Sequence, residues 1–308
     1  MFDLTRIEGI SPMRPELGHS PSVVSDQLRD VLFGCGKDGS FAVLDAASLD
    51  GLPELLSASE LECECLFRGK AAEELGAVAP WLVRLEPENM LTRRLFTLGP
   101  APWHLWGKIS GSYLRFDGSC RDLAAHLRRF TRLPDQDGKW YYFRYWDPAV
   151  MAVILNNPTE SLSGRFLEPL SAVTALFANR STALHLRRRN KCDEHGHMPI
   201  RLTPEFQALL AAASESRFDD KLRRHLARHD PSFSRLPDDE QIVKVKQAVT
   251  AAEFYDIRIE AAVARFARIY LTAPPALFSM QPVRDIMTSP RHEMDRVGDL
   301  ARYCRMNP

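Results

Sequence analysis

The sequence predicts an α/β (α+β) N-terminal domain, with a central five-stranded or so sheet flanked by helices, followed by an all-helical C-terminal domain. Three observations support this fold class. Up to about residue 180, apolar runs of strand length alternate with stretches of helical periodicity. A polar, charged stretch interrupts the pattern at 185–201. Beyond it, each segment shows the three-to-four-residue apolar spacing of amphipathic helices.

The 308 residues are enough for two domains of ordinary size. We expect four segments: a leader with a short helix (1–40), the α/β domain (41–180), a linker (181–201) and a helical domain (202–308). Prolines and glycines break any period in most of the leader. The stretch 185–201 is almost free of large apolar residues, which predicts a mobile linker or an exposed hairpin.

Five strands are predicted in the α/β domain, at 41–47, 61–67, 81–85, 103–110 and 141–146. Helices fill the intervals between them, and two further helical pieces follow at 148–156 and 161–177. The fifth strand, YYFRYW, places aromatic side chains on both of its faces because side chains alternate along a strand. This pattern favours a central strand covered by helices on both sides.

Arg144 lies among these aromatic residues and needs a partner. A guanidinium in such a strand costs several kcal/mol unless it is paired with a carboxylate or stacked on a ring. Asp45, at the end of the first predicted strand, is the candidate, and we expect a buried ion pair between the two. The following Asp147 and Pro148 are typical of a helix N-cap and first helical residue.

Composition excludes several classes of protein. Forty basic residues against forty acidic ones give a formal net charge of zero, so nucleic acid is not an expected partner. Six cysteines without framework spacing favour a reducing, cytoplasmic location. The first residues do not have the pattern of a signal peptide, and no stretch approaches the roughly 18 apolar residues of a membrane span. We therefore expect no membrane anchor.

The chemistry-bearing motifs are weak. GCGKDG (34–39) satisfies G-x-G-x-x-G, but it follows a helix and precedes a strand, the reverse of a dinucleotide site, so a helix-ending turn is favoured. Cys192, His195 and His197 lack a fourth zinc ligand nearby, and we expect no metal site. No hydrolase or protease signature is present. The absence of these motifs does not exclude an enzyme, but it leaves no residue on which a catalytic role can be based.

Several motifs, taken in order, resemble the type VI secretion effector adaptor and chaperone family (domain of unknown function 4123). They are FAVLDAA, CLF with a lysine-led helix, APWLVRL, LWGKISGS, a helix carrying HLRRF, FRYWDPAV and GRFLEPLSAV, spanning roughly 41–178. FRYWDP and HLRRF, at this separation, are the most specific. The C-terminal stretch, from LTPEF to IMTSP, resembles the helical extension that many such adaptors carry.

The resemblance implies a cytoplasmic, non-catalytic chaperone without a cofactor, which holds a cognate secreted effector (a toxin) and promotes its loading onto the VgrG spike. The positions that match the family's motifs are Asp45, Phe67, Trp81, Trp106, His126, Phe130, Arg144, Asp147, Pro148 and Phe166. Rigid aromatic rings supply large contact area at low entropy cost, so a partner surface is expected among aromatic residues. The expected partner-binding residues are Trp106, Phe130, Tyr142, Trp146 and Phe166. The alternative is an α/β enzyme of unrecognised type with a polar centre at Arg144, Asp45 and His126.

Overall fold

The computed structural model describes residues 2–15, 24–34, 36–108, 111–189 and 200–306. The chain forms two compact units, Met1–Ala213 and Ser214–Pro308. The predicted fold class is confirmed: an antiparallel sheet with helices around it occupies the N-terminal part, and the C-terminal region is helical.

The first unit contains a seven-stranded sheet and a separate two-stranded hairpin. The strands are β1 (Phe2–Ile7), β2 (Gly39–Asp45), β3 (Cys63–Cys65), β4 (Pro80–Leu85), β5 (Gly111–Phe116), β6 (Arg132–Pro134), β7 (Trp140–Tyr142), β8 (Ala172–Phe177) and β9 (Thr182–Arg188). The order in the sheet is β1-β9-β8-β5-β2-β4-β3, and each neighbouring pair is antiparallel. Strands β6 and β7 pair with each other and form the hairpin.

Helices lie between many of the strands and throughout the C-terminal region. They are α1 (Asp26–Phe33), α2 (Leu52–Ala58), α3 (Lys70–Leu75), α4 (Met90–Leu95), α5 (Cys120–Arg128), α6 (Pro148–Asn156), α7 (Ser161–Leu167), α8 (Pro204–His229), α9 (Pro231–Ser234), α10 (Asp238–Phe254), α11 (Glu260–Thr272), α12 (Gln281–Thr288) and α13 (Glu293–Met306).

Strand β2 is buried on both faces, as its continuous apolar run predicts. Phe41 and Val43 point into one hydrophobic core, together with residues of α5, α6 and α7. Ala42 and Leu44 point into a second core, together with residues of α1, α2 and α4. The period-two alternation of side chains therefore separates two helix-covered faces of one sheet.

Three predicted elements are wrong: the strands expected at 103–110 and 141–146 and the helix expected over 161–177. The strand expected at 103–110 is instead a series of turns over its described part, and Gly107, at φ +70°, has a left-handed conformation that an extended strand does not contain. The helix expected over 161–177 ends with α7, and β8 takes its second half. Pro169 has no N–H to continue the helix, and β8 is a mostly buried apolar run in the sheet interior.

Strands also lie in the segments expected to be leader and linker. Strand β1 pairs with β9 in a register that runs from Phe2 opposite Arg188 to Ile7 opposite Ala183. Charged residues such as Arg6 and Arg187 obscure the alternation of these strands in the sequence. The remainder of the expected linker includes 190–199, which is outside the described residues.

The second unit is built from helices around its own hydrophobic core. Leu222, Phe233, Val245, Phe266 and Leu300 are buried in this core and come from five helices. Its predicted helical character is confirmed.

Candidate partner-binding site

The β6–β7 hairpin holds two large aromatic side chains in solvent. Trp140 and Tyr142 are 58% and 55% exposed. They occupy alternate positions of β7, so their side chains project from the same face. Large apolar side chains that remain exposed as a group mark interaction surfaces more often than isolated ones do.

Arg132 lies against both rings. It is directly opposite Tyr142 in the hairpin register. Its guanidinium carbon is 5.6 Å from the Trp140 ring centroid and 5.5 Å from the Tyr142 ring centroid, which are cation–π distances. The partly exposed ring of Phe67 lies 6.0 Å from that of Tyr142, centroid to centroid. We call Phe67, Arg132, Trp140 and Tyr142 the hairpin surface.

The turn of the hairpin is held by one buried carboxylate. Asp135 Oδ1 accepts hydrogen bonds from the backbone N–H groups of Asp137, at 3.0 Å, and Lys139, at 2.9 Å. Gly138 adopts φ +84°, a conformation that glycine reaches without strain. Because the backbone beneath the rings is fixed, a partner that binds them orders few additional groups.

The predicted ion pair between Arg144 and Asp45 is present. Arg144 Nη2 lies 2.8 Å from Asp45 Oδ2. The Asp45 side chain is 6% exposed, whereas that of Arg144 is 44% exposed, so the pair is open to solvent on one side rather than buried. Asp45 Oδ1 also accepts the N–H of Ala47, at 3.2 Å, at the start of a short 3₁₀ turn.

The chain leaves the hairpin after Tyr142, so the prediction of a fifth, central sheet strand at 141–146 is wrong. The N–H of Tyr145 bonds to the carbonyl of Phe143, at 3.0 Å, and that of Asp147 to the carbonyl of Arg144, at 2.9 Å. These bonds form tight turns. Asp147 then caps α6 through the N–H of Ala149, with Pro148 as the first helical residue, and this predicted N-cap is confirmed.

Most of the other predicted rings lie in the core. Trp106, Phe130, Trp146 and Phe166 are at most 9% exposed. Of the five rings predicted to bind a partner, Tyr142 alone is exposed. The four buried rings serve the packing of the first unit, because a ring without accessible surface offers no contact area. Phe130 and Phe166, for example, pack edge to face with centroids 5.2 Å apart.

His126 belongs to the same buried group. Its Nε2 lies 2.9 Å from the carbonyl oxygen of Phe166, to which it donates a hydrogen bond. Burial lowers the pKa of His126 to about 4. Its ring also contacts Phe130, with centroids 5.2 Å apart. Among the described residues, no hydrogen bond or ion pair joins His126 to Asp45 or Arg144, and the polar centre of the alternative enzyme interpretation gains no support.

The remaining motif position, Trp81, also has a structural role. It lies in β4 opposite Leu44 and Cys65, and its indole N–H bonds to the carbonyl of Gly76, at 3.1 Å. Sequence reasoning missed two members of the hairpin surface, Trp140 and Arg132. The available signal was the Asp-Gly turn at 137–138, which predicts a hairpin whose two short strands flank it.

Other chemistry-bearing motifs do not form a site. In the described ranges, no group of three or more His, Cys, Asp or Glu side chains is placed to hold a metal ion. Cys192, His195 and His197 are outside those ranges. Gly34 ends α1 and Gly39 begins β2, so the glycine-rich stretch joins a helix to a strand, as predicted. No helix in the described part of the chain has the length and apolar character needed to cross a membrane.

Comparison with known proteins agrees with the motif analysis over part of the chain. Neither the curated proteins nor the solved structures contain a significant match to the chain. Residues 40–163 match a family model described as a domain of unknown function (DUF4123). The matched segment runs from β2 into α7 and contains the Arg144–Asp45 pair, the capped helix α6 and the whole hairpin surface. The part of the chain that carries the candidate site is therefore similar to the DUF4123 domain family.

Proposed function

We propose that the protein is a non-catalytic adaptor and chaperone that binds a cognate type VI secretion effector and promotes its loading onto the VgrG spike. Two observations support the proposal. Residues 40–163 match the DUF4123 model, and the motifs in this segment resemble those of the effector adaptors. The hairpin surface, a rigid and exposed aromatic group, lies within the same segment.

The hairpin surface is the observation that carries the proposal. Trp, Tyr and Arg are the residue types most enriched in binding hot spots. Here all three are exposed, adjacent and supported by a fixed turn. Such a surface suits a protein partner that brings apolar side chains over the rings and an acceptor group to the Arg132 guanidinium. Binding of this kind needs no bond to form or break.

A variant of the exposed ring tests the proposal. We expect Trp140→Glu to weaken binding of the effector encoded beside this gene about 30-fold, because a hot-spot aromatic residue contributes roughly 2 kcal/mol. Titration calorimetry with the purified effector, followed by capture of the complex on the VgrG protein, measures both steps. Circular dichroism is used to check that the variant is folded.

Trp103→Glu is the matched control. Trp103 belongs to the same unit and is 52% exposed, but it is not part of the hairpin surface. The Trp103→Glu variant should bind the effector as tightly as the parent protein does. Equal binding by the Trp140 and Trp103 variants would remove the hairpin surface from the interface. A parent protein that binds neither the effector nor the spike protein would overturn the adaptor proposal itself.

A further inference from the structure

The second unit contains a cleft of about 740 Å³ between α8, α11 and α13. Ile269, Leu271 and Ala301 are partly exposed members of its apolar lining, while Leu226 and Val297, which also line it, are buried in the surrounding core. A volume of this size is in the range of ligand-binding pockets. The cleft lies outside residues 40–163, the segment that matches the family model.

Three arginines line the same cleft. Arg265 and Arg268 are one turn apart on α11, and Arg305 is near the end of α13. All three are exposed. Among the described residues, none of their guanidinium groups forms a hydrogen bond or an ion pair, although Arg268 is close enough to Asp230 to lower the pKa of that carboxylate. The cleft therefore combines an apolar lining with cationic groups that are available to a ligand.

The carboxylate that lines the cleft is already engaged. Asp230 Oδ1 accepts hydrogen bonds from the N–H of Ser232, at 2.8 Å, its hydroxyl, at 2.6 Å, and the N–H of Phe233, at 3.3 Å. The hydroxyl of Ser232, these backbone groups and, to a smaller extent, the Arg268 guanidinium hold the pKa of Asp230 below its ordinary value. Asp230 is thus the N-cap of α9, and the three arginines exceed the acidic charge in the lining.

We propose that this cleft binds an acidic, amphipathic peptide segment of a partner protein. Its apolar side chains would lie on the partly exposed Ile269, Leu271 and Ala301. Its carboxylates would pair with Arg265, Arg268 and Arg305. Charge complementarity selects an acidic ligand. The apolar lining favours a peptide over a nucleic acid, whose outward-facing phosphates would gain nothing from it. This inference goes beyond the proposed function, because it concerns the other unit and a second surface.

A peptide library tests the inference with the full-length protein. A displayed library of random 16-residue peptides is selected on the parent protein, and enriched peptides are synthesised and titrated by fluorescence polarisation. We expect enriched sequences that combine Asp or Glu with Leu or Ile at three-to-four-residue spacing. Arg268→Glu and Arg265→Glu should each weaken their binding at least tenfold, and Arg284→Glu, an exposed arginine of α12 outside the cleft, should not.

A chemical readout locates the bound peptide independently of charge. Cys304 lines the cleft and is a free, partly exposed thiol. Bound peptide should slow its alkylation by iodoacetamide, measured by mass spectrometry, while Cys63 in the first unit reacts at an unchanged rate. Enriched peptides without an acidic bias, or peptides that bind the Arg265 and Arg268 variants as tightly as the parent, would overturn the inference. The inference would also be overturned if no peptide bound while a 20-nucleotide single-stranded DNA bound, and if that DNA binding were weakened by the Arg265 and Arg268 substitutions.

Failure of the peptide-binding proposal can be distinguished from failure of the adaptor proposal. The two experiments use different variants, Arg265 and Arg268 in one unit and Trp140 in the other. Loss of peptide binding with intact effector binding, or the reverse, assigns each result to its own surface.

Discussion

The carboxylate of Asp45 makes two contacts, one with each of its oxygens. Oδ2 pairs with Arg144, and Oδ1 accepts the N–H of Ala47. Breaking a fully buried ion pair typically costs 3–5 kcal/mol, whereas exposed pairs contribute about 0–1 kcal/mol. Because Arg144 is 44% exposed, water screens the attraction and replaces part of it. The pair should therefore contribute close to the upper limit of the stabilisation that exposed ion pairs give, about 1 kcal/mol.

A double-mutant cycle measures this pair. With Arg144→Ala, Asp45→Asn and the double variant, we expect a coupling energy of about 1 kcal/mol, lower in 1 M NaCl because the guanidinium is accessible to ions. Asn keeps an oxygen that can accept the Ala47 N–H, so the cycle isolates the charge. Urea unfolding followed by tryptophan fluorescence gives the four free energies. A coupling energy indistinguishable from zero would show that the observed contact contributes nothing.

His126 makes the stability of the first unit depend on pH. Its folded-state pKa is about 4, below the ordinary 6.5, because burial disfavours the charged imidazolium. The unfolded chain therefore binds a proton more readily between these values, and stability falls as pH falls from 6.5 toward 4. We expect a loss of about 2 kcal/mol between pH 7 and pH 5 from this residue.

The control for His126 keeps its hydrogen bond. His126→Gln retains a donor that can reach the carbonyl of Phe166 but does not titrate. Urea unfolding at pH 7 and pH 5 should show a smaller loss for this variant, by about the same 2 kcal/mol. An equal loss in both proteins would contradict a depressed pKa for His126.

Residue chemistry explains which site features the sequence predicted. The Arg144–Asp45 pair and the Asp147 cap follow from rules about what a guanidinium and a helix start require, and both are present. The partner-binding rings could not be chosen in the same way. The sequence shows that a ring is aromatic, but exposure depends on the turns after Tyr142, which bury Trp146 and leave Trp140 in solvent.

The element-scale errors share a physical origin. The spacing of apolar residues gives the conformation of a segment only when a single helix or strand occupies the whole stretch of sequence over which the spacing is read. At 103–110 and 161–177 that stretch contained a turn or a change of element, marked by Gly107 and Pro169. Strand β1 is an edge strand, where charged side chains are tolerated, and β9 lies beside it. Both strands contain charged residues and therefore lack a strong apolar signal. The buried interior strands β2 and β4 were predicted because their signal is continuous.

The hairpin turn offers an element-scale prediction. Gly138 has φ +84° and no atom within 4 Å of the position of an added Cβ, so Gly138→Ala introduces backbone strain without a steric clash. We expect a cost of about 1 kcal/mol, with weaker effector binding because the rings of β7 are less well fixed. Urea unfolding and the effector titration measure the two effects.

Gly76→Ala provides the matched control for the turn. Gly76 also has free space around an added Cβ, but its backbone is right-handed helical, at φ −56°. This change should be neutral or stabilising by up to about 1 kcal/mol. If both substitutions had the same effect, the left-handed conformation of Gly138 would not be what the turn requires.

At the scale of the whole molecule, the tryptophans and the all-helical second unit occupy different parts of the chain. All five tryptophans lie between Trp81 and Trp146, in the first unit. The second unit has no tryptophan but consists of helices around its own core. Tryptophan fluorescence therefore reports on the unit that carries the hairpin surface, while far-ultraviolet circular dichroism also reports on the helices of the unit that carries the arginine-lined cleft.

This separation allows the core of the second unit to be tested in the intact protein. Phe266 is fully buried, and its ring lies within 6.1 Å of those of Tyr255, Tyr270 and Phe278, centroid to centroid. Phe266→Ala should cost about 3–5 kcal/mol, because it removes apolar contact and leaves a cavity. Phe254→Ala, at an 81% exposed position in the same unit, should cost less than about 0.5 kcal/mol. In urea, the dichroism transition of the Phe266 variant should shift to lower concentration while its tryptophan transition stays near that of the parent. A shift of the tryptophan transition by the same amount would mean that the two units unfold as a single cooperative system.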